Sequence, residues 1–134
     1  MPMVGEKHRK KDWEKYEFEL FIDMYHFAKV LSDMGKNVII DSVLFETENL
    51  QNHYKKLHNI LQDNPLLMVE VACPLEICRQ RNIKRGDRGE FQSAEQDKRV
   101  DKNAKMDFSV RTDIKTPTEC AKMILDKLAG VFPC

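Results

Sequence analysis

Apolar residues recur at three- and four-residue steps through Trp13, Tyr16, Leu20, Met24, Phe27, Leu31 and Met34. That spacing predicts an amphipathic helix from Asp12 with this stripe as its inner face. Gly35 follows the last apolar position, where a helix C′ residue belongs. The run Val38-Ile39-Ile40-Asp41-Ser42-Val43-Leu44 is almost continuously apolar and rich in β-branched residues. It predicts a strand over 38–44, buried on both faces. Leu50, Tyr54, Leu57 and Leu61 mark the inner face of a second helix over about 46–62, stopped by Asn64-Pro65.

A second buried strand is predicted over 66–72, and Pro74 reads as the N1 residue of a helix to about Lys84. Gly86 ends that helix. Ser93-Ala94-Glu95-Gln96 has capping-box spacing and opens a polar helix to about Ala104. A third strand is predicted over 107–111. Thr116-Pro117-Thr118-Glu119 is a further capping box with Pro at N1. The helix it opens has Cys120, Ile124 and Leu128 inside.

Short buried strands joined by helices imply an α/β fold with a parallel sheet, because parallel crossovers need a helix-length connection. The length of 134 residues suits one hydrophobic core. We read residues 1–11 as a polar N-terminal segment and 12–134 as a single domain. Lys plus Arg number 22 and so do Asp plus Glu, so the net charge is zero and gives no support to a nucleic-acid partner. No apolar run reaches the roughly 20 residues of a membrane span, and no apolar stretch follows the basic N-terminus as in a secretory signal. No membrane partner and a cytoplasmic location are the expectations. The cysteines Cys73, Cys78, Cys120 and Cys134 form no C-x-x-C pair, and they read as reduced, partly buried apolar residues.

Two constellations suggest chemistry. Asp41 lies toward the carboxyl end of its predicted strand, the end at which parallel sheets bind ligands. There it suits a Mg²⁺-bound water or a substrate hydroxyl; the competing reading is a carboxylate bonded to nearby loop amides. Arg85 and Arg88 flank Gly86-Asp87. Their forked guanidinium groups suit phosphate oxygens and the charge of a transferring phosphoryl group. The competing reading is a solvated helix end, which Arg79, Arg81 and Lys84 fit better. No G-x-x-x-x-G-K-[ST] loop is present: of the five glycines only Gly35 precedes a Lys, and Asn37 stands where Ser or Thr is required.

From about Tyr16 to Leu128 the chain resembles the chloramphenicol phosphotransferase-like family of P-loop kinases. The resemblance rests on Gly35-Lys36-Asn37-Val38-Ile39-Ile40-Asp41, Val69-Glu70-Val71-Ala72-Cys73-Pro74-Leu75-Glu76, Arg85-Gly86-Asp87-Arg88, Gln96, and Thr116-Pro117-Thr118-Glu119-Cys120-Ala121. It implies a three-layer, P-loop kinase-like parallel sheet, truncated here at the N-terminus, with strands 38–44, 66–72 and 107–111. It also implies ATP and Mg²⁺ as cofactors and phosphorylation of a hydroxyl on a small molecule. Arg85 and Arg88 then contact the nucleotide and take part in catalysis, and Asp41 serves the metal, through water, or the acceptor. The family's first strand, phosphate-binding loop and catalytic aspartate would fall before Met1. The chain departs from the family pattern at Ser42, at Val100-Asp101 and at Arg111-Thr112, which bears on substrate identity.

Three readings follow: a phosphotransferase lacking its phosphate loop in this chain, a non-catalytic kinase relic serving as a binding or oligomerisation module, or a helical-sheet domain with coincidental motifs. An interrupted sheet favours self-association, so a homo-oligomer joins nucleotide and acceptor among the expected partners.

Overall fold

The computed structural model describes residues 6–48, 50–86 and 91–133, with side chains from residue 16 onward. The chain forms two compact units, 1–64 and 65–134. In the first, helix α1 (Glu6–Asp33) packs against helix α2 (His53–Leu61). In the second, strands β1 (Val69–Ala72) and β2 (Phe108–Arg111) form a parallel pair. They are joined through helices α3 (Leu75–Arg85) and α4 (Gln92–Arg99), which pack together, and helix α5 (Pro117–Val131) lies on β2.

Helix α1 ends as predicted. Gly35 takes φ +76°, its N–H donates to the Ser32 carbonyl at 2.9 Å, and the Lys36 N–H donates to the Leu31 carbonyl at 3.0 Å. Those two bonds make a Schellman closure, which needs the left-handed conformation that glycine adopts cheaply. The buried face of α1 is a different one from that predicted. Tyr25 and Ala28 are buried, whereas Tyr16, Leu20, Phe27, Val30 and Met34 are exposed. At about 100° per residue these five lie on the side opposite Tyr25. The sequence stripe thus marks a second apolar face, turned to solvent. The side chain of Trp13 lies outside the described residues.

The largest correction concerns 38–44. This segment is coil, not strand, and Ile39 is 96% exposed. A parallel strand holds its conformation through ladder bonds to neighbours, and β-propensity alone does not supply them. Among the described residues nothing pairs with it. The sheet there has two strands rather than the three predicted, so the α/β character stands while a three-layer kinase sheet is not seen.

Helix α2 is shorter than predicted for a local reason. Asn52 adopts φ +58°, and the Glu46 carboxylate reaches forward to accept the Asn52 N–H at 2.8 Å and the His53 N–H at 3.3 Å. Just before the helix the Leu50 N–H donates to the Thr47 carbonyl at 3.1 Å. Phe45, Leu50, His53, Leu57 and Leu61 complete the first core.

In the second unit β1 and β2 are in register from Val69 opposite Phe108 to Ala72 opposite Arg111. Asp107 sets that register: its carboxylate accepts the Met68 N–H at 2.7 Å while its own N–H donates to the Met68 carbonyl at 2.9 Å. Val110 is 1% exposed and, with Cys120, makes the core under α5. Of the inner face predicted for α5, Cys120 is buried, Ile124 half-buried and Leu128 largely exposed. Pro74 sits at the N-cap of α3, one residue before the N1 position predicted. The box expected at Ser93 does not form. Ser93 lies inside α4, which ends at Arg99 rather than Ala104, and its hydroxyl accepts a bond from the buried Asn82 amide of α3.

The box at Thr116 does form. Its hydroxyl accepts the Glu119 N–H at 3.3 Å, and the Glu119 carboxylate accepts the Thr116 N–H at 2.7 Å. Those bonds from the Thr116 backbone, then from its hydroxyl, hold the Glu119 carboxyl below its usual value. Thr116→Ala should cost about 1 kcal/mol of stability, read as a lower urea midpoint. The Glu119 contribution is present above the ordinary glutamate value and is lost as pH falls through the lowered one. The wild-type advantage over Glu119→Gln should therefore shrink in acid, as followed by urea melts at stepped pH.

Candidate functional site

The predicted site residues divide between the units. Asp41 is exposed in the coil of the first unit. Arg85 is exposed at the last turn of α3 in the second, beside Lys84, where cations complement the helix dipole. Gly86 then turns the chain with φ +70° and donates its N–H to the Asn82 carbonyl at 3.1 Å. Arg88 lies outside the described residues, as does Asp87.

Next to Asp41 the first unit carries a buried polar relay. The Tyr25 hydroxyl lies 2.6 Å from His53 Nε2, and His53 Nδ1 lies 3.1 Å from the Phe45 carbonyl oxygen. A carbonyl only accepts, so Nδ1 carries the proton and Nε2 accepts from the phenol. Both residues are fully buried, and Phe21 packs against the imidazole with ring centroids 5.0 Å apart. Ser42, the neighbour of Asp41, bonds to the same phenol. Burial pushes the Tyr25 phenol up to about 12, with Ser42 opposing. The relay fastens the 41–45 segment to both helices. His53 belongs to no sequence motif. The signal available was that His53 falls beside the apolar positions Leu50, Leu57 and Leu61.

In the second unit the carboxyl ends of β1 and β2 gather polar groups. Arg81 donates through Nη1 to the Thr112 hydroxyl at 3.0 Å and through Nη2 to its carbonyl at 2.6 Å. The Thr112 N–H donates to the Ala72 carbonyl at 3.0 Å, which extends the strand pairing by one step. Arg111 grips Asp113 with two bonds, Nε to Oδ1 at 2.7 Å and Nη2 to Oδ2 at 2.6 Å. That guanidinium holds the Asp113 carboxyl below the usual carboxylate range, and the pairing raises Arg111 in turn. Arg81 had been assigned to a solvated helix end. Its role as a tie between α3 and the strand tips escaped because it depends on which way α3 faces.

The strand tips are where ligands of parallel sheets are bound, and here they present arginine donors and a threonine hydroxyl. A family model for chloramphenicol phosphotransferase-like proteins matches residues 5–129. The chain belongs to the chloramphenicol phosphotransferase-like family. That places it among kinase-type phosphotransferases by class. No curated protein and no solved structure matches it. No helix among the described residues is long and apolar enough to cross a membrane.

Tyr25→Phe removes the buried hydroxyl that bonds His53 Nε2. A loss of about 1–3 kcal/mol is expected, read from urea unfolding. One of the three tyrosines should ionise near pH 12, followed by phenolate absorbance. The raised value favours the neutral phenol, so its contribution is whole below the ordinary tyrosine pKa and fades as pH climbs through about 12. Ionisation of all three tyrosines together near pH 10 would contradict this.

Proposed function

We propose that the chain is the carboxyl-terminal part of an ATP-dependent kinase that phosphorylates a hydroxyl on a small molecule. The observation that carries this reading is the family match, which spans both Asp41 and the Arg85–Arg88 loop. In this reading the phosphate cradle and the base that takes the hydroxyl proton come from residues outside these 134. Arg85 and Arg88 close over the phosphates and offset charge on the phosphoryl group in flight. No cluster of three His, Cys, Asp or Glu side chains among the described residues could hold a metal ion. Mg²⁺ on a nucleotide ordinarily needs only one or two protein carboxylates, with waters and phosphates filling the remaining positions. The exposed Asp41 carboxylate fits that outer role. Asp41 would hold the ion through water, and the ion would supply positive charge that screens the phosphates. Such an enzyme works in the cytoplasm, and the exposed face of α1 supports self-association.

A second reading, a non-catalytic relic acting as a binding or oligomerisation module, is favoured by the apolar segment 38–44, which is unpaired among the described residues.

Calorimetric titration of the chain with ATP and Mg²⁺ separates the two. Heat at millimolar nucleotide that weakens in Arg85→Ala supports the kinase ancestry of the site. Silence of a form that includes a phosphate loop favours the relic. In a form that includes a phosphate loop, Arg88→Ala should lower kcat by roughly a thousandfold with little change in nucleotide affinity. Unaltered turnover would remove the arginine from the mechanism.

A further inference from the structure

Cys73 leaves β1 and Cys78 lies in the first turns of α3. With Pro74 at the N-cap, they occupy the N′ and N4 positions. Side chains at those two positions meet across the start of a helix. The structure shows the meeting. The Cys78 N–H donates to the Pro74 carbonyl at 3.1 Å, and Cys78 Sγ stands 3.7 Å from the Cys73 carbonyl oxygen. Both are unbridged and half-buried, so both are reachable from solvent. The third described cysteine, Cys120, is buried under β2, with Sγ 3.9 Å from the Arg111 carbonyl oxygen.

We infer that Cys73 and Cys78 form a redox-active dithiol, a site that peroxide-class oxidants convert reversibly to a disulfide. In the first step the Cys73 thiolate attacks a peroxide oxygen and the O–O bond breaks. Cys73 becomes a sulfenic acid, and with hydrogen peroxide the departing hydroxide takes up the proton that the Cys73 thiol released and leaves as water. In the second step Cys78 sulfur attacks the sulfenyl sulfur. The S–S bond forms, hydroxide departs, and it combines with the Cys78 proton as a second water. Two thiols lose two electrons and two protons, and one peroxide is reduced. A dithiol reductant reverses the change by exchange.

The order of the steps follows from the surroundings. Burial, and then Cys73 itself, raise Cys78, which keeps it protonated and makes it the later partner. Arg81 on α3 and Asp97 on α4 also face Cys78 with opposite effects, and Arg111 on β2 faces Cys73. Closure should therefore quicken as pH rises. The bond would fix the first turn of α3 to the tip of β1, one turn ahead of Arg81 and its hold on Thr112. None of this depends on phosphotransfer.

The test treats the folded chain with a slight excess of hydrogen peroxide, counts free thiols and maps linked peptides without reduction. Four thiols should fall to two, a Cys73–Cys78 peptide should appear, and dithiothreitol should restore all four. In Cys78→Ser, a sulfenic acid at Cys73 should become trappable by dimedone. The inference is overturned if all four thiols survive. It is equally overturned if the bond joins either cysteine to Cys120 or Cys134, or if the unsubstituted chain accumulates sulfenic acid at Cys73 instead of closing.

Discussion

Backbone pairing decides what this chain can be. A buried N–H or C=O without a partner costs about as much as a lost hydrogen bond, so an apolar strand is stable only where a ladder receives it. Segments 69–72 and 108–111 have one another, and Thr112 and Asp107 extend and lock their pairing at opposite ends. Segment 38–44 has equal or better β-propensity and remains coil, its backbone left to water. Everything at the strand tips depends on that single pair of strands holding Thr112 beside Ala72. Release of the pair would carry away the acceptor that orients Arg81.

The elements whose signals are local were legible in the sequence. The Gly35 closure, the Gly86 stop and the Thr116 box each depend on residues within one turn of one another, and each formed as read. What failed needed knowledge of neighbours. The stripe on α1 was read as the inner face because its period is helical, and period does not say which of two apolar faces meets α2. The box at Ser93 failed because Asn82, eleven residues earlier, engages that hydroxyl. The strand at 38–44 failed for want of a partner. Asp41 and Arg85 could be named from the sequence as candidates, whereas the Tyr25–His53 relay and the Arg81–Thr112 tie could not. Those two span 28 and 31 residues of sequence, and no short motif records them.

The two units use polar groups differently. In the first, a neutral tyrosine and a neutral histidine satisfy each other in the core. Such a pair can be buried at modest cost because neither member carries charge. In the second, the charged groups stay near solvent and are spent on orientation. Arg111 and Asp113 largely cancel, and Arg81 commits two of its five N–H donors to Thr112. The strand tips are therefore less positive than their count of arginines suggests.

That cancellation has a consequence for anion binding. A helix C-terminus carries a partial negative charge, so the end of α3 by itself repels phosphate. Lys84 and Arg85 offset that charge before they can offer any surplus to a ligand. An anion approaching the end of α3 thus meets a helix dipole and side-chain charges that oppose one another. Affinity at such a site rests on geometry that aims individual donors, since net charge supplies little. The bonds that fix Thr112 and Arg81 are what provide that aim.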